Sequence, residues 1–184
     1  QAALLQQEFP QLKIIPLSGY RVQYSRSKVF FALKLMTQLP EIYRAIRQEN
    51  QWLKKIIEEE AITCVVSDNR YGLYHTDIPC FLITHQLTIK APFPWAEQLL
   101  RSINYRFINR FKSCWVPDMA VAPGIAGVLS HPPVMPAVPV HYINLLSRFT
   151  KELVSEKYDL CVLLSGPEPQ RSLLEEKILG QLSG

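Results

Sequence analysis

The chain has 184 residues, 48% of them hydrophobic and 20% charged. That composition supports a buried core in one domain, or in one domain and part of another, and excludes a disordered or low-complexity protein. The net charge of +4 is mildly basic, but there is no Lys/Arg-rich block and no aromatic RNA-binding signature, so no nucleic-acid partner is expected.

The chain opens on Gln1, in what reads as mid-helix, and stops abruptly after "ILGQLSG". A fragment of a longer protein is therefore expected. "LKIIPL" (Leu12 to Leu17) reads as a short strand. From Val29 to Glu60, apolar residues at Leu35, Leu39, Ile42, Ile46, Leu53 and Ile56 mark a helical face. Pro40 is predicted to open a new helix there, because proline suits a first turn. "AITCVVS" and "IPCFLITH" follow as nearly continuous apolar runs, the pattern of parallel strands covered on both faces. Trp95 to Lys112 is predicted as a helix on which Trp95, Leu99, Ile103 and Phe107 recur every four residues, with Leu100 and Phe111 alongside. "SCWVPD", ending at Pro117, and "VPVHYI" (Val138 to Ile143) are further strands. "YDLCVLLSGPEPQRSLLEEKILGQL" reads as strand, loop and helix, the helix starting near Gln170. Alternating strands and helices predict an α/β fold with a parallel sheet. The polar stretch "SRFTKELVSEK" divides it into a first domain over 1–146, a linker over 147–157 and the beginning of a second domain over 158–184.

No apolar run is long enough to cross a bilayer, and no secretory signal is visible. Cys64, Cys80, Cys114 and Cys161 show no metal-ligand spacing, so reduced and mostly buried thiols in a cytosolic protein are expected. No HExxH, nucleophile elbow, GxGxxG or P-loop is present.

Ligands of open parallel sheets collect beyond the carboxyl ends of the strands. Asp68, Asn69, Arg70 and Tyr71 follow one predicted strand; Thr84, His85 and Gln86 follow the next. Asp68 or His85 could take a proton from a hydroxyl nucleophile, Arg70 could hold a phosphate, and Asn69 and Gln86 could orient a polyhydroxylated ligand. The plainer alternative is that Asp and Asn close strands because they favour turns. In "LLSGPEPQRS", Ser165 and Gly166 turn the chain before the helix, whose free N–H groups and Arg171 could meet a phosphate; an ordinary tight loop is the competing reading. "IKAPFPWAEQLLRSINYRFINRFK" joins Phe93 and Trp95 to Lys90, Arg101, Arg106, Arg110 and Lys112. It is either a helix that lies on an anionic membrane surface or a core-facing helix with solvated arginines. His131, in "SHPP", has no carboxylate near it in sequence and reads as a loop residue.

"SDNRYGLY", "IPCFLITHQL", "NRFKSCWVPD", "LSHP", "LLSRF" and "LLSGPEPQR" occur in an order that resembles a group of bacterial glycosyltransferase-like proteins. In layout these are similar to glycosyltransferase family 28, the family of the lipid II-forming N-acetylglucosaminyltransferase. The resemblance implies the GT-B architecture: two Rossmann-like domains facing across a cleft, here an incomplete N-terminal domain and the start of a second. It implies a nucleotide-sugar donor of the UDP type, a hydroxyl acceptor that can be lipid-linked, no metal and no cofactor, and a cytoplasmic protein peripheral on the inner face of the membrane. Asp68 to Tyr71 and Thr84 to Gln86 would line the acceptor side. Ser165, Gly166, Gln170 and Arg171 would lie near the donor diphosphate. The chain departs from the pattern in lacking the glycine-rich first loop and most of the donor domain, and in carrying Asn144 and Leu145 where a Gly-Pro turn is expected. The fragment alone is accordingly expected to be inactive. A sugar-nucleotide epimerase and a non-catalytic carbohydrate- or lipid-binding domain of the same fold are the alternatives.

Overall fold

A computed structural model of the chain describes residues 2–17, 28–91, 93–147, 149–150, 157–166, 168 and 170–182. The chain divides into two compact units, Gln1–Leu146 and Ser147–Gly184. The first contains a four-stranded, all-parallel sheet in the order β1-β2-β3-β4, formed by Val65–Asp68, Cys80–Ile83, Ser113–Val116 and Val140–Tyr142. This is an α/β fold. The register pairs Val65 with Cys80, Leu82 with Cys114 and Val116 with Tyr142. Because side chains alternate along a strand, these pairings bring Val65, Cys80, Leu82, Cys114 and Val116 to one face.

Two helices cover that face. Helix α2 (Lys28–Glu60, α1 being Ala2–Glu8) supplies Leu53, and α3 (Pro94–Ile108) supplies Ile108, to a single buried cluster with those strand residues. Tyr43 and Phe107, with ring centroids 5.8 Å apart, bring the two helices side by side. Fully burying a side chain such as Leu82 or Ile108, each 0% exposed, contributes about 1.5–3 kcal/mol.

The opposite face, carrying Val66, Phe81, Ile83 and Trp115, stays partly open among the described residues, and Val66 is 52% exposed. Phe81 and Trp115 stack on it at 4.8 Å. The continuous apolar runs predicted cover on both faces; among the described residues, Phe81 and Trp115 cover one another on this one.

Further expectations are corrected or refined. Pro40 lies inside α2, a single 33-residue helix. A proline there forgoes one backbone hydrogen bond and crowds the preceding turn, and the remaining ladder carries the helix through. Leu12–Leu17 is not a strand, and Tyr158–Leu164 forms no strand either; both run without ladder partners. A strand exists only through its neighbour's hydrogen bonds, and neither segment has one. On α3, the buried residues are Ala96, Leu100, Asn104, Phe107 and Ile108, whereas Trp95 is 60% and Leu99 40% exposed. Residues four apart advance by 400°, so each step drifts about 40° around the helix. Three steps carry Trp95 to Phe107 about 120° off one line, too far for both to face the core. Finally, only Cys80 and Cys114 are buried; Cys64 and Cys161 are exposed, and all four are free thiols.

The second unit contains helix α4 (Gln170–Leu182), none of whose residues is buried. Leu160, Leu163, Leu173 and Leu179 are likewise exposed. At the end of the first unit Asn144 holds φ +60°. Asparagine tolerates this left-handed conformation better than most residues.

Candidate functional site at the carboxyl edge of the sheet

Beyond β1 and β2 the chain builds a small hydrogen-bonded frame. Asn69, at φ +54°, donates its N–H to Ile83 O at 2.9 Å. Its side-chain Oδ1 accepts from Thr84 Oγ1 at 3.1 Å, and Thr84 Oγ1 accepts in turn from the Gln86 N–H at 3.1 Å. Asn104 of α3 donates to the Gln86 and Leu87 carbonyls at 3.0 and 3.3 Å. Thr84 is buried, so its hydroxyl serves the frame. Asp68 and His85 flank this frame and are both exposed.

Arg70 and Tyr71 face inward. The Arg70 guanidinium grips the buried carboxylate of Glu49, with Nη2 and Nε at 2.7 and 2.9 Å from Oε1. The Gly72 N–H donates to the other oxygen of Glu49 at 3.1 Å. A Cβ on Gly72 would stand 2.4 Å from the Glu49 Cβ, so this close approach of loop to helix requires glycine. Tyr71 packs against Phe107, with centroids 5.7 Å apart.

Beyond β3 and β4 lies a second cluster that the sequence reading missed. Asp118, 1% exposed, accepts from the N–H groups of Met119, Ile125 and Ala126 at 2.8, 2.8 and 3.0 Å. It also accepts from Ser130 Oγ at 2.5 Å. The Ile125 N–H first, then the Ser130 hydroxyl and the other amides, hold its carboxyl well below the ordinary carboxylate range. Gly124, at φ +60°, lies so close that a Cβ would meet the carboxylate at 2.5 Å. Ser130 Oγ is 2.9 Å from His131 Nδ1, and its carbonyl accepts from the Tyr142 hydroxyl at 2.8 Å. His131 stacks on Tyr142 at 4.8 Å, and its Nε2 is buried without a partner among the described residues. The Leu129 carbonyl accepts from the Leu87 and Thr88 N–H groups at 2.8 and 2.9 Å, tying this loop to the one after β2.

Asp, Ser and His invite comparison with a nucleophilic triad, but their order is wrong. Ser130, not His131, sits directly against the Asp118 carboxylate, so the histidine does not stand between acid and hydroxyl as a triad base must. Ser130 is also 0% exposed. The cluster is a knot that closes the 118–131 loop. His131 is the loop residue expected, with no carboxylate near it in sequence; the fold brings Asp118 Oδ2 to 4.0 Å from its Nδ1. No periodic signal connects residues 12 or 13 apart across an irregular loop, and only the Pro-Gly turn between them hinted at a reversal.

In the second unit, Gly166 adopts φ +118°, and Ser165, Gln170 and Arg171 are exposed. Glu168 accepts from Ser172 Oγ at 2.6 Å and from its N–H at 3.4 Å and pairs with Arg171. A carboxylate therefore caps the helix start considered for phosphate. The Ser172 hydroxyl first, then the Arg171 charge, lower the pKa of Glu168.

Along Lys90–Lys112, Lys90 pairs with Glu97 at 3.4 Å. Phe93 stacks on Trp95 at 6.2 Å, and both are exposed. No helix among the described residues is long and apolar enough to cross a membrane, and no group of three metal-ligating side chains occurs among them. Two concavities, of about 580 and 380 Å³, contain neither Asp68 nor His85.

No protein-family model, curated protein or solved structure matches the chain.

Proposed function

We propose that the chain supplies the acceptor side of a glycosyltransferase that moves a sugar from a nucleotide-sugar donor, of the UDP type, to a hydroxyl acceptor. The observation that carries this reading is the pair of exposed titratable side chains, Asp68 and His85, beside the fixed Asn69–Thr84 frame at the carboxyl edge of a parallel sheet. The order of motifs that resembles glycosyltransferase-like proteins supports it.

Asp68 or His85 takes the proton of the acceptor hydroxyl. The oxygen attacks the anomeric carbon, and the bond from that carbon to the diphosphate breaks, releasing a nucleoside diphosphate. Asn69 and Gln86 orient sugar hydroxyls. Arg70 and Tyr71 act by holding the loop, since Glu49 and Phe107 engage them. Ser165, Gly166, Gln170 and Arg171 form the donor loop, and a diphosphate there displaces Glu168 from Arg171. The enzyme works in the cytoplasm and sits peripherally on the membrane through Phe93, Trp95 and the neighbouring basic residues.

Product analysis of the full-length protein with UDP-sugars and a polyprenyl-linked saccharide tests this. Transfer yields a glycoside and free UDP. An isomerised but intact nucleotide sugar means an epimerase, and carbohydrate binding without turnover means a non-catalytic domain; either result overturns the proposal.

A further inference from the structure

Away from the carboxyl edge, the 380 Å³ concavity opens between α2 and the segments that lead into β2 and β3. Tyr43, Arg47, Gln51 and Lys54 line one wall. Their spacing of i, i+4, i+8 and i+11 is one continuous stripe of a helix, beside the buried stripe of Ile46 and Leu53. Tyr74 and Arg110 form the other wall.

Arg110 is fixed in place. Its guanidinium carbon lies 5.0 Å from the centroids of both the Tyr74 and Phe107 rings, and Nη1 is 3.4 Å from the Tyr74 hydroxyl. The rings orient this half-buried cation without neutralising it. Three cations, Arg47, Lys54 and Arg110, thus line one concavity that has no carboxylate in its wall, and none of the three forms an ion pair among the described residues. Glu58, one turn beyond Lys54, makes no ion pair with it. Elsewhere in the unit opposite charges do meet: Arg70 with Glu49, Lys55 with Glu59, Lys90 with Glu97. Uncompensated like charges that share a partly enclosed space repel one another, and an anion placed among them removes that repulsion.

The volume exceeds that of a bare ion and lies within the range of small-molecule sites. A planar, preoriented guanidinium suits the paired oxygens of a phosphate, which Lys54 and Arg47 can meet as further donors. The larger concavity shares Tyr74 and Arg110 and runs on along the amino ends of β2 and β3 past His75 and Lys112, giving room for the rest of a ligand. Asp77 on its wall is a carboxylate, so the phosphate belongs on the Arg47 and Lys54 side.

We propose that this groove binds a phosphate group carried by a small molecule or a lipid headgroup, at a site separate from the carboxyl edge and independent of the glycosyltransferase reading. Isothermal titration of the 184-residue chain with inorganic pyrophosphate at constant ionic strength tests it, beside sedimentation with vesicles containing phosphatidic acid. Saturable binding is expected, weakened about five- to tenfold in Arg47→Gln and in Lys54→Gln. Lys55→Gln removes the same charge one residue away, outside the groove, and should change affinity less than about twofold, as expected of an exposed charge in salt. Arg110→Gln should weaken binding most; because it also removes a ring contact, Arg47 and Lys54 decide the matter. This residue dependence with pyrophosphate identifies a soluble phosphorylated ligand, and the same dependence with vesicles alone identifies a headgroup. Absence of saturable binding in both arms, or equal losses in Lys55→Gln and Lys54→Gln, overturns the proposal.

Discussion

The two loop clusters at the carboxyl edge of the sheet contain the same kinds of residue and use them in opposite ways. Beyond β1 and β2, Asp68 and His85 are exposed beside a frame made by other groups. Beyond β3 and β4, Asp118 and His131 are drawn into a loop in which four donors saturate the carboxylate. A carboxylate that already accepts this many hydrogen bonds is a poor proton acceptor, since its charged form is the stabilised one. Residue type and strand-end position are therefore not enough to assign chemistry. The number of hydrogen bonds already made distinguishes a group that can react from one that holds the chain.

The sharpest way to break this contrast is by turnover. On the proposed glycosyltransferase reading, either His85→Ala or Asp68→Asn should lower turnover roughly a hundredfold to ten-thousandfold, with donor binding and melting temperature unchanged. If both retain wild-type turnover across the pH range, the open cluster has no base and the two clusters differ only in burial.

Stability should show the reverse order. Asp118→Ala strips the partner from three amides and a buried hydroxyl and should lower the melting temperature by more than about 5 °C, while Asp68→Asn, at an exposed position, should change stability by no more than about 0.5 kcal/mol. Equal shifts would dissolve the distinction. The pH dependence has a definite sign. A carboxyl whose folded pKa is depressed contributes its full stabilisation above its unfolded value, near pH 4, and loses it as the pH falls below that toward the folded value. Acid unfolding followed by circular dichroism should therefore be less steep below about pH 4 in Asp118→Asn than in the wild type. Parallel acid limbs would mean that the knot's charge does not contribute.

The smallest effect concerns a similar contrast on α3, between buried Phe107 and open Trp95. Weak association with anionic vesicles is expected, lost at high salt, with each basic residue near the surface contributing on the order of 1 kcal/mol. Trp95→Ser should reduce co-sedimentation several-fold and leave the melting temperature unchanged. Binding indifferent to both salt and Trp95 would make the exposed aromatic pair a surface feature without a membrane role.

Much of the first unit was legible in the sequence because its signals are local. The four strands announce themselves as short apolar runs bounded by polar turns, and the Asn69 and Thr84 clusters follow directly from where two of them end. What escaped depends on partners that sequence spacing does not reveal. Leu12–Leu17 and Tyr158–Leu164 have strand-like composition but no neighbouring ladder. The engagement of Arg70 by Glu49 crosses 21 residues, and the Asp118–Ser130 contact crosses an irregular loop with no period to follow. On α3 a repeat of four marks a helix without staying on one face, so by itself it did not separate Trp95 from Phe107.

The uneven burial of the thiols has a practical consequence. Burial raises the pKa of Cys80 and pushes Cys114 up to about 12, so neither offers an appreciable thiolate near neutral pH. Cys64 and Cys161 are exposed, and one lies in each compact unit. Maleimide dyes should therefore attach at two places without any engineered cysteine. The native chain can carry a donor and acceptor fluorophore across its own domain boundary, and energy transfer between them would follow the separation of the two units as ligands are added.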